Sequence, residues 1–490
     1  MHRMIKGWWL TALAVGLVVT TLIAPVAGAV VEPAQQDAFG AVDAFIRSEM
    51  GRHRIPGLAL AITKGDEIVH VKGFGTAGGQ RTVTADTPFF IGSVSKSFTA
   101  LAVMQLVEAG EVELDAPVQR YIPWFAVADE EASRAITVRH LLHHTSGLSD
   151  AGYRRGMPPA DATLEETVRD LRRAELTAPV GITHQYFNLN YNVLGVIIQE
   201  VSGQSYSVYV EEHIFRPLDM ENSYVSKAAA EQAGLAQGHN VLLGFPVARQ
   251  QPHLSYDLPA GMIIASAKDM ARYTIAQNNG GCLGDTCILS AEAVKEMHTP
   301  PEGVDTSYAM GWEVRREDGA RRVSHNGAVR TFFSSVTLLP DQGYGVVVLV
   351  NQNGLFHLVM AYERVVDGVV DLLLGREPSG GIAMATLYAA IGVVMAVDLG
   401  RRGLSLARLP GQRQRWEGRP PGRRVAGLAL QALLALVVLV GGPLLLMTQA
   451  GTDATRVMLF NYAPGIAAWL AVSSVLTLVE AGIKARWMLA

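Results

Sequence analysis

Residues 90–110, FIGSVSKSFTALAVMQLVEAG, place Ser93 three positions before Lys96 at the head of a strongly apolar run. Two readings compete. In the plain one, a serine opens an ordinary helix and a solvated lysine follows it. In the chemical one, positions i and i+3 share a helical face, so Ser93 Oγ and Lys96 Nζ meet. A serine hydroxyl needs a neighbouring base to become a nucleophile, and a lysine supplies one when burial and nearby cations lower its pKa. S-x-x-K occurs nowhere else in the chain, yet alone it decides little.

Working outward, two short motifs follow in order. HQYFNLNYNVLG contains Tyr186-Phe187-Asn188, and VSHNGAVRTF contains His325-Asn326-Gly327 at the expected start of a strand. Around them, LALAITKGDEIVHVKGFG (58–75) reads as a hairpin, and so does the stretch 321–351 with its turn PDQG. Helical patterns lie between, at 95–109 and 191–202, and another closes the region at LFHLVMAYERVVDGVVDLLLG. Strands at both ends and helices between them predict an α+β fold, an antiparallel sheet built from both ends with a helical insert.

S-x-x-K, then Y-x-N, then H-x-G in place of K-T-G resembles the motif set of the class C β-lactamase-like serine hydrolases. That superfamily includes penicillin-binding D-Ala-D-Ala carboxypeptidases, β-lactamases, esterases and D-aminopeptidases. ITVRHLLHHTSGL (136–148), YNVLGVIIQEVSG (191–203) and GMIIASAKDMARY (261–273) fit it too, and the similarity covers roughly residues 35–375. The resemblance implies that Ser93 forms an acyl-enzyme without metal or organic cofactor. Lys96 and Tyr186 would share the proton traffic, Tyr186 as a phenolate favoured by the adjacent lysine. Asn188 would bond a substrate amide and orient Lys96. The backbone N–H groups of Ser93 and Ala328 would form the oxyanion hole, with Gly327 admitting substrate to the strand.

The departures narrow the substrate. His325 stands where many relatives carry a lysine that meets the substrate carboxylate, and it is mostly neutral at pH 7. Phe187, bulkier than the usual small residue, is expected to alter the pocket wall. No E-x-x-L-N stretch supports a glutamate-driven deacylation, and no H-E-x-x-H, G-x-S-x-G or P-loop motif occurs. His140, His143 and His144 have a spacing that suits a metal, but the match to the family's H-T-S-G-L stretch implies a structural role for His144.

The rest of the chain concerns location. A mean hydropathy of +0.21 is high for a wholly soluble protein, and a formal charge of −4 offers no basic field for nucleic acid. Arg3 and Lys6 precede an apolar run ending at Ala27-Gly28-Ala29, which reads as a secretory signal over 1–29; uncleaved, it would be a first anchor. A globular domain is expected over 30–376. After it, 377–490 reads as a membrane domain with three spans, 381–397, 425–447 and 457–479. The Arg-rich loop 400–424 is cytoplasmic by the positive-inside rule, which puts the globular domain outside the cytoplasm. Cys282 and Cys287, the two cysteines, would pair as a loop disulfide there.

The expectation is therefore a membrane-anchored extracytoplasmic hydrolase of small esters, or of peptides and amides such as β-lactams or cell-wall peptides ending in a D-amino acid. The bilayer is its expected partner. A non-catalytic sensor that binds penicillin or wall fragments is the alternative from another class. Transport is disfavoured because none of the three expected spans carries a charge near its middle. Oligomeric state is not legible.

Overall fold

The computed structural model describes residues 38–153, 158–317, 319–436 and 463–489. The expected signal over 1–29 lies outside them, as do the latter half of the expected span 425–447 and the start of 457–479. Seven strands form the main sheet: β1 (Gly57–Lys64), β2 (Glu67–Gly78), β3 (Arg81–Thr82), β4 (Glu313–Glu317), β5 (Ala320–Val329), β6 (Phe332–Leu339) and β7 (Tyr344–Val350). Their order is β4-β5-β6-β7-β1-β2-β3, antiparallel throughout. Distant parts of the chain meet where β1 pairs β7, from Leu58↔Val350 to Lys64↔Tyr344. The hairpin expected at 58–75 is β1–β2. The stretch 321–351 is a three-strand meander rather than one hairpin, because turns at Arg330-Thr331 and at 340–343 cut the apolar run twice.

Alternation along β1 explains the layers. Leu58, Leu60 and Ile62 join the core beneath α1 (Ala38–His53) and α5 (Tyr362–Leu373), whereas Ala59 and Ala61 join the larger core on the other face. The small alanine side chains leave room for a helix to lie close on that second face. The large core holds α2 (Ser95–Glu108), α3 (Asn188–Ser202) and α4 (Ala267–Asn278). The apolar face read in 95–109 becomes burial on all sides, from Ser95 through Met104. A tightly packed central helix gives its first turn a rigid footing.

Among the described residues two helices, not the three expected, have the length and hydropathy to cross a membrane: α6 (Met384–Ala407) and the segment Pro464–Met488 of α8 (Pro464–Leu489). Between them α7 is described over Pro421–Leu436, and the remainder of the expected span 425–447 lies outside the described residues. α8 begins at Pro464 rather than at 457, since a proline lacks the N–H that only the first turn can spare. α6 runs past residue 397 and so contains a charge, Asp398, at its fifteenth position. There Asp398 accepts hydrogen bonds from Arg402 Nε at 3.0 Å, Ser473 Oγ at 2.8 Å and Trp469 Nε1 at 3.2 Å. An acid so partnered links α6 to α8 without a bare charge.

Candidate active site

Ser93 lies in a single 3-10 turn, Gly92–Val94, that runs directly into α2. Gly92 has φ +52°, which a side chain would strain, and a Cβ there would come within 2.6 Å of Ala328 N. Ser95 pins the turn: its Oγ donates to Gly92 O at 2.7 Å and accepts from Ile263 N at 3.1 Å. The result is a half-buried Ser93 one turn above a wholly buried Lys96.

Lys96 Nζ reaches three acceptors, Asn188 Oδ1 and Ala260 O at 2.7 Å each and Ser93 Oγ at 3.3 Å. Among the described residues no carboxylate sits at ion-pair distance from it. Burial therefore dominates and lowers its pKa to about 7, with the more distant Asp257 and Asp150 opposing. The ammonium, when present, lies 4.7 Å from the centre of the Tyr186 ring.

Tyr186 is 39% exposed as a residue, while its hydroxyl is desolvated and hydrogen-bonded with Ser93. Burial raises this phenol, and the Ser93 hydrogen bond only partly offsets that. The direction is opposite to the phenolate the motif suggested, because enclosure penalises a phenolate that has only a near-neutral amine beside it. His144 holds the loop in place. Its carbonyl accepts from Gln185 N at 2.8 Å, and its Nδ1 accepts from Phe187 N at 3.3 Å and Asn190 Nδ2 at 3.1 Å. Phe187 does not shape the pocket wall as expected; it is 1% exposed and packs in the core near Tyr153.

The opposite wall is a strand edge. β4 pairs β5 only from Glu313↔Ser324 to Glu317↔Ala320, so the edge of 325–329 has no strand partner and lies against the Ser93 turn. A Cβ on Gly327 would overlap Ile91 O and Ser334 Oγ, so only glycine allows this approach. His325 sits inside β5 rather than at its start. Its Nδ1 donates to Asn326 O at 2.7 Å, which leaves Nε2 to accept from the Tyr308 hydroxyl at 3.0 Å. Burial lowers its pKa to about 3, so it carries no charge at neutral pH.

Sequence reasoning missed Tyr308, Asp257 and the Ala260 carbonyl. Tyr308 lines, with Tyr186, Glu313, Arg315, His325 and Asn326, a cleft of about 210 Å3. Asp257 is raised by burial, with Lys96 opposing. None of the three belongs to a motif, and the segments bearing them come together only in the fold. A larger cleft of about 470 Å3, near Arg81, Lys227 and Arg249, is lined by none of Ser93, Lys96, Tyr186, Asn188 and His325. Cys282 and Cys287 form the expected disulfide, on a small hairpin after α4.

The beta-lactamase family model matches residues 42–368. Protein flp of Staphylococcus aureus (strain MW2) is 28% identical over 315 residues, 64% of this chain and 63% of its own length. Penicillin-binding protein 4 of Amycolatopsis lactamdurans is 31% identical over 314 residues, 61% of this chain and 81% of its own. Among solved structures, the octameric penicillin-binding protein homologue from Pyrococcus abyssi superposes with a TM-score of 0.61 at 29% identity, covering 70% of this chain and 79% of that one. A class C beta lactamase from Rhodobacter sphaeroides shares the fold, with a TM-score of 0.57 at 23% identity over 68% of this chain and 99% of its own.

Proposed function

This chain belongs to the beta-lactamase family, and from the geometry of its cleft we propose that it is a serine hydrolase working through an acyl-enzyme on Ser93. The observation that carries the reading is the hydrogen-bonding of Lys96. A neutral amine donates two hydrogens, and Asn188 Oδ1 and Ala260 O take both. Its lone pair is then left for the Ser93 hydroxyl proton. Ser93 Oγ bonds the acyl carbon as its proton passes to Lys96 Nζ. The N–H groups of Ser93 and Ala328 stabilise the oxyanion. The protonated lysine returns the proton to the leaving group directly or through the neutral Tyr186 hydroxyl, and water then repeats the sequence to free the serine.

For substrate we propose a small ester, or an amide without a carboxylate beside the scissile bond. His325 supplies no charge, and Arg315, the one cation among the described residues that line the cleft, is held by Glu313 at 2.7 Å. Glu363 lines the same cleft. An anionic substrate end would meet net negative charge there. We further propose that α6 and α8 anchor the enzyme with its cleft outside the cytoplasm, which the arginines of 400–424 favour.

The test is turnover by full-length wild type and Ser93→Ala on p-nitrophenyl esters and on D-Ala-D-Ala peptides, with fluorescent penicillin as acylating probe. Esters should turn over, and Ser93→Ala should reduce the rate to background. Retained turnover in Ser93→Ala would refute the nucleophile. Preferred cleavage of the carboxylate-bearing peptide would refute the substrate class, and ligand binding without any turnover would favour a sensor.

A further inference from the structure

A hairpin far from Ser93 in sequence carries apolar side chains that the hydrolase does not bury. Its strands are His239–Leu242 and Phe245–Ala248, and the stretch Val241–Val247 contains no charged or hydrogen-bonding side chain. Leu242, Leu243, Phe245 and Val247 are 42%, 43%, 59% and 40% exposed. Four exposed apolar side chains within Leu242–Val247 at a hairpin tip are a solubility cost unless something apolar covers them.

The base of the hairpin is rigid. His239 and Asn240 pair in parallel with Gln352 and Asn353, His239 N donates to Asn351 O at 2.9 Å, and Asn353 Nδ2 ties the same corner to Val329 O at 2.8 Å. Its tip therefore keeps a fixed height relative to β5. At that height lie the first turns of both long apolar helices. Gly244 packs against Tyr388 of α6, and Leu243 packs over Gly465 of α8. α6 and α8 thus start side by side at the hairpin, as they must if both enter a bilayer from the same surface. Arg54 lies against the tip, its guanidinium 4.4 Å from the Phe245 ring and donating to Gly244 O at 3.1 Å. Apolar side chains with an arginine beside them suit the boundary between acyl chains and headgroups.

We infer that the hairpin tip, Leu242 to Val247, inserts into the outer interfacial layer of the bilayer and seats the hydrolase on the membrane in one orientation. The occupant is lipid, because the tip continues the surface that α6 and α8 present to acyl chains. The inference rests on the membrane reading of those two helices.

Cys282 and Cys287 are bonded to each other and no cysteine is free, so one introduced thiol can be labelled alone. Phe245→Cys and Leu243→Cys, each in the full chain, take an environment-sensitive nitrobenzoxadiazole label in phosphatidylcholine–phosphatidylglycerol vesicles. Glu130→Cys, at a side chain 85% exposed, is the aqueous control. The hairpin labels should emit at shorter wavelength than the control, resist iodide several-fold better, and be quenched by lipids spin-labelled near the headgroup. Iodide quenching equal to that at residue 130, in a chain that withstands alkaline carbonate, overturns the hairpin inference alone. Release of the chain by carbonate overturns the membrane reading as well. Repeating the measurement in nanodiscs with one chain per disc tests the rival occupant: protection that persists supports lipid, and protection that vanishes assigns the tip to a second copy.

Discussion

In the proposed mechanism Lys96 serves as a base because it is short of counter-charge. A buried amine without a carboxylate at contact distance loses its proton near pH 7, whereas a salt-bridged lysine would hold it far higher. kcat/KM should therefore rise with pH through an apparent pKa near 7, and Lys96→Arg, whose guanidinium does not deprotonate, should abolish that limb and cut kcat by about 10³-fold. A rate independent of pH between 5 and 9 would remove Lys96 as the base. The same shift has a stability consequence. The folded pKa lies below the ordinary 10.5, so between about 7 and 10.5 the unfolded chain holds a proton that the folded chain does not. Stability therefore rises with pH across that window, at about 1.4 kcal/mol per pH unit at most. Denaturant midpoints of wild type measured against Lys96→Met should diverge in that direction. Tyr186 shows the limit of motif reasoning: a lysine as neighbour suggested a phenolate, but enclosure of the hydroxyl decided the sign.

At the scale of elements, the site is a contact between one turn and one strand edge. The 3-10 turn Gly92–Val94 carries Ser93 because α2 behind it is packed on all sides. β5 offers the edge 325–329 because β4 ends its pairing at Ser324. Gly327→Ala tests this contact, since its Cβ would overlap Ile91 O from the turn and Ser334 Oγ from β6. The variant should lose about 1–3 kcal/mol of stability and a larger share of kcat than of substrate binding, read from thermal melts and steady-state kinetics. Normal kcat in a stable variant would mean that the turn and strand need not touch. S-x-x-K, Y-x-N and H-x-G were legible because each is local, three residues on one turn or one strand. Tyr308, Asp257 and the Ala260 carbonyl were not, since no local spacing relates them to Ser93.

For the whole molecule, a beta-lactamase-family sheet closed by β1 and β7 is followed by helices of a different composition. If α6 enters from the outside, the arginines between α6 and α7 lie in the cytoplasm. Trypsin added to intact cells should spare 400–424 and cut it only in inverted vesicles; cleavage in intact cells would reverse the topology. The sequence by itself determined the family, the antiparallel α+β plan and the order of the three motifs, because periodicity and short spacings are properties of the chain alone. It also marked the apolar character of the C-terminal region, though not where its helices begin and end: Pro464 opens α8, and a partnered Asp398 lets α6 continue. Only the tertiary structure decided that Lys96 is near neutral, that Tyr186 is a phenol, that His325 is an uncharged partner of Tyr308, and that the 241–247 tip meets α6 and α8. Each of these depends on desolvation or on contact between residues distant in the chain, and neither is written in local order.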